Sequence, residues 1–141
     1  MGSINKFIRL VISNGGASYN INNGELNPTN GYLVSIADAG EKIRNFGGDN
    51  LKNYILKNAE LLSVENVFLG GWVHKGEIYL DCSQQIVNKH EAITKGMRRN
   101  QLAIWDAEKE ESIFLPAAQK CGTETQKLAY IELKATELCG I

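Results

Sequence analysis

No apolar run in this 141-residue chain approaches the roughly 18 to 20 residues that a membrane span needs. The opening stretch, MGSINKFIRLVISNGG, has no charged region leading into a long apolar core and a small-residue cleavage site. It is therefore not read as a secretory signal. Met1-Gly2-Ser3 begins like a myristoylation signal but lacks the Ser or Thr that such signals carry four places after the glycine; Gly-Ser after Met is also a common cloning remnant. Cysteine is sparse and odd in number, with Cys82, Cys121 and Cys139 far apart and no Cys-x-x-Cys pair. That pattern excludes a disulfide framework and points to small buried thiols in a reducing cytoplasm. Taken with His74 or His90, the three have no metal-ligand spacing, so no zinc site is expected. An excess of one charge is also missing. Fifteen basic residues against sixteen acidic give a net charge of -1. This excludes a nonspecific nucleic-acid binder held by phosphate contacts, and equally an acidic nucleic-acid mimic.

What remains is globular in composition, 43% hydrophobic and 22% charged, at a length suited to one domain. Asparagine occurs fourteen times and Lys outnumbers Arg eleven to four. Both reflect an A+T-rich coding background and carry no mechanism.

Apolar residues at Ile4, Phe7, Ile8, Val11 and Ile12 form the stripe of an amphipathic helix, stopped by Asn14-Gly15-Gly16. Short strands are predicted at 17–21 and 32–37, separated by Asn- and Gly-rich turns, with a weaker one at 42–46. Asp49 is placed to cap a helix carrying Leu51, Tyr54, Ile55 and Leu62. The clearest strand signal is a pair of runs, 67–73 and 77–82, around His74-Lys75-Gly76; Ile78 and Leu80 face one way, and Glu77, Tyr79 and Asp81 the other. Asn88-Lys89-His90-Glu91 has capping-box spacing and opens a helix over 89–99. Strands at 101–106 and 112–115 follow, the second ended by Pro116. Thr123-x-x-Gln126 opens a C-terminal helix with Leu128, Ile131, Ala135, Leu138 and Cys139 on one stripe.

This order predicts a single compact α+β domain over 1–141, with a mostly antiparallel sheet of about five to six strands packed with three to four helices. Its C-terminal helix spans about 122–139. Helices on one face only leave the other face open to a partner.

Gly15-Gly16 and Gly70-Gly71 are Gly pairs, not phosphate loops, because neither a Walker nor a dinucleotide spacing surrounds them. Within a strand, Gly70-Gly71 marks a bulge or a close approach of backbone or ligand. The nearest thing to a binding patch is Lys89, Lys95, Arg98 and Arg99 on one helix, followed by Asn100 and Gln101 and then Trp105. Positions 95, 98 and 99 share a helix face. Cations at a helix C-terminus are also favoured by the macrodipole alone, so a solvated helix end is the plain reading. The functional reading is a site for an anion or a protein carboxylate, with paired guanidinium bonds and a stacking face from Trp72 or Trp105. For catalysis, Cys82 with His74 or His90 is the one nominal nucleophile–base pair. Asp81 and Asp106 are acids on strands that also serve simply to keep a strand soluble.

Four stretches together resemble a group of small proteins encoded by phages, plasmids and other bacterial mobile elements. They are NGGASY from Asn14, GYLVSI from Gly31, LGGWV-x-x-G-x-x-YLD from Leu69, and RNQLAIWD from Arg99, covering roughly residues 14–106. The resemblance implies an accessory gene product in the cytoplasm of a bacterial host. Such products inhibit host defences, CRISPR nucleases among them, or sequester the nucleotide signals those defences use.

The leading expectation is therefore a non-enzymatic anti-defence protein, without cofactor or metal, that binds and inhibits a host defence protein. Its contact residues are expected to be Gly70, Gly71, Trp72, Lys95, Arg98, Arg99, Asn100 and Trp105. Two alternatives stand beside it. One is a sponge for a small anionic nucleotide, using the same arginines, Arg98 and Arg99, with a Gly-lined pocket at Gly70-Gly71 and a site shared between the subunits of a homodimer. The other is a small hydrolase using Cys82 or Asp81. Neither membrane nor nonspecific nucleic acid is an expected partner.

Overall fold

The computed structural model describes residues 2–117 and 122–140. Cys121 lies outside them. Among the described residues the fold is α+β, with five helices and seven strands against the predicted three to four and about five to six. The excess has local causes. The helix predicted after Asp49 is two helices, α2 (Asn50–Lys57) and α3 (Ala59–Leu62), because Asn58 leaves helical geometry and its side-chain amide takes the Tyr54 carbonyl at 3.0 Å. The weak strand signal yields a three-residue strand, β3 (Glu41–Ile43).

The backbone gathers into two units, the first formed by residues up to Pro28 together with Asp38–Gln84. It holds α1 (Gly2–Asn14), β1 (Gly16–Tyr19), β3, α2, α3, β4 (Val67–His74) and most of β5 (Glu77–Ile86). β4 pairs antiparallel with β1 on one side and with β5 on the other, and β3 pairs with β5. The hairpin turn is tighter than predicted. His74 belongs to β4 and pairs with Glu77, leaving Lys75 and Gly76 as a two-residue turn with φ of 52° and 77°. Two consecutive positive φ values match the right-handed twist of the flanking strands. The pairing of residues 67–74 with 84–77 runs without a break, so Gly70-Gly71 makes no bulge. One face of this β-structure is covered: Phe7 and Val11 of α1 sit against Gly71, and Tyr54 of α2 reaches Cys82. Phe7, Val11, Leu69, Leu80 and Cys82 are fully buried there, within 1% exposure.

The second unit comprises Thr29–Ala37 and the described residues from Gln85 on. It holds β2 (Tyr32–Ser35), the end of β5, α4 (Lys89–Arg98), β6 (Ala103–Asp106), β7 (Glu111–Phe114) and α5 (Glu124–Leu138). β6 pairs antiparallel with β2 and β7. Val34, Ile86, Ile93, Met97, Ile104, Ile131 and Ala135 form its core between strands and helices. Two of the three predicted caps form: Asn88 Oδ1 accepts from the Glu91 N–H at 2.9 Å, and Thr123 and Gln126 make a reciprocal capping box. Asp49 differs. It stands at the N-cap of α2 with φ of -104° and ψ of 15°, outside the extended geometry a capping side chain needs, and makes no cap bond. Among the described residues no helix is long and apolar enough to cross a membrane.

Candidate functional site

The predicted contact residues divide between the two units. Gly70, Gly71 and Trp72 lie on β4 in the first; Lys95, Arg98, Arg99, Asn100 and Trp105 lie in the second.

In the first unit, strand alternation sends Gly71 toward α1 and Gly70 and Trp72 to the opposite face. A Cβ at Gly71 would stand 3.0 Å from both Phe7 and Val11, so this glycine is what lets the helix close on the strand. At Gly70 the room for a Cβ is filled by the carboxylate of Asp81, the cross-strand partner. Ser83 Oγ donates to the other oxygen of that carboxylate at 3.4 Å. The pair is thus explained by one close approach on each face. Neither glycine lines a pocket for an anionic nucleotide, because one side is packed with hydrocarbon and the other holds an acid that repels anions.

Trp72 sits opposite Tyr79 and stacks on it, with ring centroids 4.6 Å apart and planes 18° from parallel. His74 lies near both rings, tilted to Trp72 at 5.9 Å and edge-on to Tyr79 at 6.3 Å. Trp72 remains 45% exposed. The result is a partly exposed aromatic cluster, flanked by the Lys42–Glu77 ion pair at 3.3 Å. Tyr79 and His74 were not among the predicted contacts. The signal for them was the hairpin register, which follows once Lys75-Gly76 is recognised as the whole turn.

In the second unit the basic cluster separates by role. Arg98 is exposed and Lys95 half-buried on α4. Arg99 turns inward instead of sharing their face. It follows the last residue of α4, and its guanidinium reaches the carbonyls of Val34 and Ser35 at 3.5 Å, with burial lowering its pKa. Asn100 ends the helix. Its φ of 55° is left-handed, its N–H donates to the Met97 carbonyl, and Gln101 N–H donates to Gly96, which is the Schellman pattern with Asn in the place glycine usually takes. Trp105 is 40% exposed and alternates away from Ile104, which belongs to the helix-covered core. Ser112 faces it across the strands, and Phe114, 76% exposed, lies on the same face of β7.

The candidate catalytic groups each have a neighbour within the fold. Cys82 is buried, 3.4 Å from the Tyr54 hydroxyl, which also bonds the Ala39 carbonyl. Burial pushes the Cys82 thiol up, away from the thiolate form a nucleophile needs, and burial with the neighbouring thiol pushes the Tyr54 phenol up as well. His74 stands in the aromatic cluster, and His90 Nε2 meets Glu132 Oε1 at 2.9 Å, tying α4 to α5. Asp106 accepts from the N–H groups of Glu108 and Lys109, closing the turn into β7. Among the described residues no group of His, Cys, Asp and Glu is placed to hold a metal ion. An open groove of about 500 Å³ runs along α1, lined by Lys6, Arg9, Leu10, Ile12 and Ser13, and involves none of the predicted contacts.

Compared with family models, curated proteins and solved structures, the chain matches none.

Proposed function

We propose that the protein is a binding module that captures a protein partner on the exposed aromatic end of the β4–β5 hairpin. The observation that carries this reading is the Trp72–Tyr79 stack, held opposite the face α1 covers. A partly exposed indole already fixed by a neighbouring ring loses little rotamer freedom on binding, a saving of about 0.5–1.5 kcal/mol per side chain. Trp and Tyr are also the residue types that dominate such contacts. Within the second unit, Trp105, Phe114 and the exposed Arg98 are candidates for a contact of their own. Arg99 and Asn100 support the scaffold. In keeping with the mobile-element resemblance, the partner is a host defence protein of a bacterial cell, and binding inhibits it.

Alanine at Trp72 tests the assignment. The folded variant is expected to lose a host protein that the parent retains from bacterial lysate, with its melting temperature nearly unchanged. Equal retention by a folded Trp72→Ala, Tyr79→Ala double variant refutes the site.

A further inference from the structure

Three Asn-Gly pairs occur in the chain: Asn14-Gly15, Asn23-Gly24 and Asn30-Gly31. Asparagine before glycine loses its side-chain amide when the following backbone nitrogen attacks the side-chain carbonyl carbon, an approach that glycine, lacking Cβ, leaves unhindered. All three asparagines are exposed, so exposure does not rank them. Hydrogen bonding does. Gly15 N–H donates to the Val11 carbonyl at 3.0 Å and Gly24 N–H to the Asn20 carbonyl at 2.8 Å, so both nitrogens must break a bond before they can attack. Among the described residues Gly31 N–H donates no such bond. Asn30 Oδ1 accepts from Gln85 Nε2 at 3.0 Å, and the same amide nitrogen is 2.9 Å from the Asn30 backbone oxygen. Asn23 Oδ1 likewise accepts from Glu25 N–H at 2.8 Å and Asn14 Oδ1 from Ser13 Oγ at 3.3 Å. A donor on this oxygen is thus common to all three, and the Gly31 nitrogen is what sets Asn30 apart. A donor on Oδ1 draws electrons from Cγ and stabilises the negative charge that grows on that oxygen during attack.

We propose that Asn30 is a self-deamidation site, reacting through Gly31 with Gln85 as the polarising group. The Gly31 nitrogen forms a bond to Asn30 Cγ. The Cγ–Nδ2 bond breaks, and Nδ2 leaves as ammonia with the proton from Gly31, closing a five-membered succinimide. Water opens the ring at either carbonyl and yields aspartate or isoaspartate. The product carries a new negative charge just before β2, and its isoaspartate form adds a methylene to the main chain. That segment has no slack, since the Cβ position of Gly31 lies 3.0 Å from the Ile86 carbonyl oxygen.

The test is peptide mapping by mass spectrometry of the full chain, incubated folded and in urea in mildly alkaline buffer. In the folded protein Asn30 is expected to react about ten-fold faster than Asn14 or Asn23, the rate factor of about 1.4 kcal/mol in barrier. In urea the three pairs react at comparable rates. Asn14 or Asn23 leading in the folded protein, or equal folded rates, overturns the assignment. Gln85→Leu is expected to slow Asn30 severalfold, and an unchanged rate in that folded variant overturns the role of Gln85.

Discussion

The carboxylate of Asp81 lies over the backbone of Gly70, its partner across β4 and β5, in the space that a side chain at position 70 would occupy. An acid and a glycine facing each other in this way make the identity of each depend on the other. Gly70→Ala is expected to displace Asp81 and lower stability by about 1–3 kcal/mol. In an Asp81→Ala background the same change should cost much less, and chemical denaturation of the four proteins in the cycle measures the difference. Equal costs in both backgrounds would show that something else excludes a side chain there.

Gly71→Ala meets a different obstacle. Phe7 and Val11 must retreat from the new methyl, so α1 loosens from β4, with an expected loss of about 1–3 kcal/mol. Hydrogen exchange of the α1 amides reports it directly. Protection should fall in α1 for Gly71→Ala and stay unchanged there for Gly70→Ala.

The buried Tyr54–Cys82 pair sets a limit at alkaline pH. Both groups are raised in the folded state above ordinary values of 10.0 and 9.0. The unfolded chain therefore releases these protons first, and stability present below about pH 9 declines as pH rises through and beyond that value. Melting temperature followed from neutral to alkaline pH should show the decline, and Cys82→Ala should reduce it. Tyr54→Phe, which leaves the Ala39 carbonyl without its hydroxyl donor, is expected to cost about 1–3 kcal/mol at neutral pH.

Asn100 distinguishes a cap from a contact. Its left-handed backbone favours glycine, so Asn100→Gly should be neutral or slightly stabilising, whereas Asn100→Ala should cost about 1 kcal/mol. Neither change should alter partner capture. A folded Asn100→Gly protein that no longer captures its partner would return this residue to the binding surface.

The features legible in the sequence were those written in neighbouring residues. The α1 stripe, the alternation of Ile78 and Leu80 against Tyr79 and Asp81, and the caps at Asn88 and Thr123 are local patterns with one dominant solution. The inward turn of Arg99 is not legible in the sequence because it depends on the carbonyls of Val34 and Ser35, over sixty positions away. Gly70 was ambiguous for the same reason: only the register with β5 brings Asp81 over it. Asn100 was different. An asparagine directly after a basic helix end is itself a stop signal, readable from neighbouring residues alone.

Native mass spectrometry of the protein captured gently from bacterial lysate, beside its folded Trp72→Ala variant, addresses the binding reading most directly. The expected result is a complex of the 15.6 kDa chain with a second, larger protein, present for the parent and absent for the variant. A parent that carries only a few hundred daltons of extra mass, about the size of a nucleotide, or none at all, would contradict capture of a protein partner.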